Sequence, residues 1–154
     1  MGSTASAPTS IAAPSAMSSS WNHVLLLHAR VESSLAITLQ RRHGMGLSEY
    51  RALGHLAASS AGELRMQELA DKLGLNQSSV TRLVARLNAA DFTYRDLCPD
   101  DKRGIYTVIT EAGRARYAEA SLTYEATLAS VLGEAAQADP RIAAALAALG
   151  WAGQ

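Results

Sequence analysis

Six side chains between positions 77 and 90 have the types and spacing to read the edge of a nucleic-acid duplex: Gln77, Ser78, Ser79, Thr81, Arg82 and Arg86. A helix advances about 100° per residue. That rotation sets Ser78, Thr81, Arg82, Ala85 and Arg86 opposite an apolar stripe of Val80, Leu83, Val84 and Leu87, with Gln77 and Ser79 at the N-terminal end. Gln can bond adenine bidentately, Arg can bond guanine, and Ser or Thr serves a base or a phosphate. The segment holds two Arg and no acid, so its polar face is basic. The same pattern also describes an ordinary amphipathic helix with a solvated face. Its surroundings have to decide.

Those surroundings supply a holder. Met66, Leu69, Ala70 and Leu73 recur at helical spacing. Gly74 then stops the helix where a left-handed residue is wanted, and Asn76 is the expected N-cap of the next one. Residues 92–97 and 104–110 are rich in Phe, Thr, Tyr, Ile and Val, and the turn-forming run Cys98-Pro-Asp-Asp-Lys-Arg-Gly104 between them predicts a β-hairpin. Helix, glycine turn, helix and hairpin make a winged helix-turn-helix, whose second helix suits a major groove about 12 Å wide.

Outside that unit, Leu27, Val31, Ser34, Leu35 and Thr38 predict a helix over 21–43, capped by Ser20 and ended by Gly44 and Gly46. Ser48 is the expected cap of a helix to about Ser59, with Arg51 at the capping-box position that usually holds Glu. Thr110 caps a long helix from Glu111 to about Leu132, and an Ala/Leu helix over about 140–149 closes the chain. Residues 1–20 are mostly Gly, Ser, Thr, Ala and Pro and read as a flexible tail. The fold class is therefore mainly α with a small β-hairpin wing. A winged helix-turn-helix lobe over 48–110 lies between helical segments 21–47 and 111–154, which either form a dimerisation region or complete a monomeric core.

Composition limits the function. The 154 residues are 48% hydrophobic but only 5% aromatic, a mixture that favours helices packed on helices. Lys plus Arg equals Asp plus Glu at 14 each, which argues mildly against a nucleic-acid partner, although a neutral total can hide a basic face. The single cysteine, Cys98, excludes a disulfide within the chain and a CxxC zinc site. No apolar run approaches the roughly 20 residues of a membrane span, and the N-terminus lacks the order of a secretory signal, so a cytoplasmic location is expected. No phosphate-cradling glycine loop, nucleophile elbow or HExxH is present, so neither an enzyme nor a cofactor is expected. His23 and His28 are five residues apart, about 140° on a helix, and do not form a metal-binding pair.

The stretch Leu64–Leu87, LRMQELADKLGLNQSSVTRLVARL, resembles the helix-turn-helix of the MarR family of bacterial transcriptional regulators. Pro99-Asp-Asp-Lys-Arg-Gly104 and Val108-Ile-Thr-Glu-Ala-Gly113 resemble that family's wing tip and its exit into a long helix. The resemblance spans about residues 22–150. It implies a homodimer on a pseudo-palindromic double-stranded DNA operator, acting as a repressor released by a small anionic or aromatic effector. Arg103 would enter the minor groove, Asp101 would support the wing, and Lys102 and Arg95 would meet phosphates. Candidate effector-lining residues are Trp21, His28, Arg30, Arg51 and His55, while Cys98 reads as a passive thiol. Where the family commonly has Gly-Leu, this chain has Asp91-Phe92. With its neutral charge, that acid keeps a second reading open: a winged-helix protein-interaction module without DNA binding.

Overall fold

The computed structural model describes residues 13–97 and 104–152. Its elements run α1 (Ala16–His43), α2 (Leu47–Ala58), β1 (Glu63–Arg65), α3 (Met66–Leu73), α4 (Gln77–Ala89), β2 (Thr93–Leu97), β3 (Ile105–Ile109), α5 (Glu111–Ala138) and α6 (Pro140–Ala148). The mainly α architecture with a small winged sheet is the expected one. Helices α3 and α4 fall where the apolar spacing put them, with Gly74 left-handed at φ 65° between them.

Several boundaries differ. Helix α1 starts at Ala16 instead of 21, because Ser15, not Ser20, caps it by accepting the Ser18 N–H at 3.1 Å. Residues 16–20 are thus helix and not tail. Helix α2 starts at Leu47 on Gly46, and the Glu49 carboxylate accepts the Gly46 N–H at 3.0 Å. Ser48 is therefore inside the first turn, and Glu49 satisfies the orphan backbone donor that a cap would have taken. Helix α5 continues to Ala138 instead of about Leu132, since no proline interrupts the chain until Pro140.

The sheet has three antiparallel strands in the order β1-β3-β2, so β3 is central. Leu64 and Arg95 both register on Thr107, which is fully buried. Strand β1 was not anticipated from the sequence. One core cluster joins Leu39 of α1, Leu53 and Leu56 of α2, Leu69 of α3, the α4 stripe and Ile109 of β3. Asp91, at φ 60°, occupies the left-handed turn between α4 and β2. A short polar side chain tolerates that conformation better than most.

On α1 the core takes Leu35, Leu39 and His43 and leaves Met17, Trp21, Val24, Leu25 and Leu26 exposed. Among the described residues no helix is long and apolar enough to cross a membrane, and no group of three His, Cys, Asp or Glu converges as a metal site would.

Candidate nucleic-acid interface

Helix α4 is positioned from its N-terminus and one side. Asn76 Oδ1 accepts the Ser79 N–H and the Ser78 hydroxyl, each at 2.9 Å, which fixes the first turn. Val80, Leu83, Val84 and Leu87 are at most 2% exposed, so the helix cannot rotate without emptying the core. Its opposite face is left in solvent: Gln77, Ser78, Thr81, Arg82, Ala85 and Arg86 are exposed, and Ser79 is half-buried.

These residues are not equally available. Thr81 donates its hydroxyl to the Gln77 carbonyl at 2.8 Å, so it presents a methyl and an already bonded oxygen. Arg86 Nε donates to Glu49 Oε1 at 2.9 Å. Arg82 makes no ion pair among the described residues and extends from the middle of the face.

A cleft of about 390 Å³ joins the start of α4 to the sheet, lined in part by Arg65, Gln67, Gln77, Thr81 and Arg95. It brings Gln77 and Thr81 of α4 together with Arg95 of β2. Arg65 was missed by the sequence reading. Its Nε donates to the Tyr106 hydroxyl at 2.9 Å, and its guanidinium lies 5.4 Å from the centre of that ring. The available signal was a basic residue immediately before the first turn of α3. Cys98, Asp101, Lys102 and Arg103 lie outside the described residues.

The five effector candidates do not form one site. Arg51 and His55 share a cleft of about 330 Å³ with Tyr50, Tyr117, Tyr124 and Glu125. Trp21 and Arg30 do not line it: Trp21 is exposed on α1, and Arg30 pairs with Glu134 at 2.5 Å. His28 reaches the edge of the cluster only through Glu32, 3.9 Å away. Arg51 makes a fork-on-fork pair with Glu32, at 2.9 and 2.5 Å. The hydrogen bonds of that pair lower the Glu32 pKa and raise that of Arg51. Arg51 is therefore already matched by a carboxylate from α1, and Glu125 adds a second negative group. Beside them Tyr50 stacks on Tyr124 with ring centres 4.5 Å apart, and burial pushes its hydroxyl up to about 12.

Burial, then the charges of Lys72 and Arg51, hold His55 below the ordinary imidazole value of 6.5. The unfolded chain therefore takes up this proton more readily than the folded one. His55 should contribute stability that is full above pH 6.5 and is lost as pH falls from there through the folded value. Thermal melts from pH 7.5 downward should show His55→Gln with a shallower decline than the parent chain. Parallel curves would refute the assignment.

Comparison with known proteins points one way. The profile of the MarR family matches residues 43–104. The fold is similar to Sco3205, a MarR family transcriptional regulator from Streptomyces coelicolor solved in complex with DNA. That match has 28% identity and a TM-score of 0.72, covering 79% of this chain and 77% of the other. AbsC, a MarR family transcriptional regulator from the same organism, matches at 22% identity and TM-score 0.72, covering 90% of this chain and 99% of its own. Apo MarR from E. coli matches at 18% identity and TM-score 0.69, covering 84% and 91%. No curated protein matches the sequence.

Proposed function

From a chain whose winged helix-turn-helix is that of the MarR family, we propose a sequence-specific, DNA-binding transcriptional regulator that acts as a homodimeric repressor released by a small molecule. The observation that carries the reading is α4: its apolar stripe is locked in the core while Ser78, Arg82 and Arg86 face solvent. A helix held in this way can enter a major groove without unfolding anything. Exposed Gln77 and Arg95 flank the same cleft, adding a base-edge donor–acceptor and a phosphate partner.

The homodimer is supported by the apolar side chains that α1 leaves outside the core, together with exposed Leu122 on α5 and Leu149. A second copy covering that face would set two α4 helices about one turn of DNA apart and require a roughly palindromic operator. The cleft around Arg51, His55 and the three tyrosines is the proposed effector site. Its aromatic walls suit an aromatic ligand, and an anionic group would have to displace Glu32 from Arg51.

Selection of bound duplexes from random DNA, followed by affinity measurement across salt, tests the reading. Each neutralised phosphate contributes about −0.9 to the slope of log affinity against log salt. A sequence-selective, steeply salt-dependent affinity is the expected result. Flat, unselective binding would replace it with the protein-interaction module that the neutral net charge allows. Arg103, in the segment joining β2 to β3, takes the minor-groove role implied by resemblance. Arg103→Ala should weaken operator binding by roughly tenfold, the scale of one charged hydrogen bond, with dimer mass unchanged. Full affinity in a gel-shift assay would remove that role.

A further inference from the structure

Among the described residues, Glu49 is the carboxylate that pairs with the exposed face of α4. Its two oxygens are divided. Oε2 accepts the Gly46 N–H at 3.0 Å and Oε1 accepts Arg86 Nε at 2.9 Å. The side chain is only 21% exposed, against 59% for Arg86. With Oε2 turned to the backbone N–H, the carboxylate meets the guanidinium through a single bond from Oε1 and not as a two-bond fork. Of the five guanidinium N–H groups, only the Nε one is taken. The two terminal nitrogens have no hydrogen-bond partner among the described residues.

We propose that Glu49 is a specificity-determining positioning residue for the DNA-binding helix. It aims Arg86 as an oriented fork while cancelling most of its long-range charge. A long, flexible cation follows any phosphate it meets, whereas an aimed and neutralised one gains energy only where the duplex presents an acceptor along its outer edge. The carboxylate also repels phosphates that approach out of register. Glu49 thus suppresses binding to random DNA more than binding to the operator. This inference rests on the DNA-binding reading above.

The experiment compares the parent chain, Glu49→Gln, Arg86→Ala and the double variant on the selected duplex and on a random duplex of equal length, over a salt series. Glutamine keeps an acceptor for the Gly46 N–H, and melting curves check that α2 is intact. Glu49→Gln should raise affinity for random DNA by about three- to tenfold and steepen its salt slope by up to about 0.9, the value of one further phosphate contact. Preference for the selected duplex should fall by a similar factor. In the Arg86→Ala background the same substitution should change neither quantity, since close pairs are non-additive. Equal loss on both duplexes, an unchanged preference, or an effect that survives without Arg86 would each overturn the proposal. If the parent chain itself shows no preference between the duplexes, it is the DNA-binding reading that fails.

Discussion

Arg82→Ala should lower affinity for the selected operator by about ten- to a hundredfold per half-site, with a smaller loss on random DNA. A bidentate arginine–guanine pair supplies roughly 1–3 kcal/mol of discrimination, and each 1.4 kcal/mol is worth about tenfold. Arg82 is the strongest candidate for that pair. It is exposed in the middle of α4, has no ion pair among the described residues, and lies opposite the buried stripe of Val80, Leu83, Val84 and Leu87. Ser78 and Arg86 stand one turn before and after it on the same face. Competition binding with single-base operator variants provides the measurement. Tolerance at one operator position should relax in the variant. Equal losses on operator and random DNA would demote Arg82 to a phosphate contact.

Gly113→Ala should be among the most damaging conservative changes in the chain. A methyl at this buried position would lie 2.2 Å from the Phe92 carbonyl oxygen and 2.9 Å from Ile109 Cγ1. The carbonyl cannot move away cheaply, because it also accepts the Thr110 N–H at 3.0 Å. Thr110 in turn caps α5 through the Gly113 N–H at 3.0 Å and donates its hydroxyl to the Asp91 carbonyl at 2.8 Å. Overpacking costs about 1–3 kcal/mol where side chains can shift, and backbone resistance places this site at or above the upper end. At roughly 2–4 °C per kcal/mol for a domain of this size, the melting temperature should fall by about 6 °C or more. Gly133 supplies the control from the same helix. Nothing lies within 4 Å of its added methyl, so Gly133→Ala should be neutral or stabilising by up to about 1 kcal/mol. Equal effects at the two glycines would show that helix propensity, and not the Phe92 contact, governs the site.

Local signals in the sequence were sufficient for the helix-turn-helix. The spacing of Val80, Leu83, Val84 and Leu87, the break at Gly74 and the cap at Asn76 each act within one or two turns, and tertiary packing agrees with all of them. What was missed is nonlocal. Strand β1 is three residues long, too short for a periodic signal, and exists because Leu64 pairs with Thr107 far along the chain. Arg65 was overlooked with it. The partners of Arg51 and Arg86 were likewise hidden, since Glu32 and Glu49 lie 19 and 37 residues away. Residue type marked those arginines as possible ligand contacts without revealing that a carboxylate already held each one. The spread of the effector candidates has the same origin: Trp21 and Arg30 have suitable chemistry but lie on parts of α1 that do not meet the tyrosine cleft.

The central place of β3 has a mechanical consequence. It is flanked on both sides, while β1 and β2 form the two edges of the sheet. Its last residue, Ile109, passes through Thr110 directly into α5, and that joint is clamped by the Asp91 and Phe92 carbonyls. The root of the long C-terminal helix is thus joined to the middle strand of the sheet by one capped residue, so any shift of that root reaches the strand through the backbone and its two carbonyl clamps.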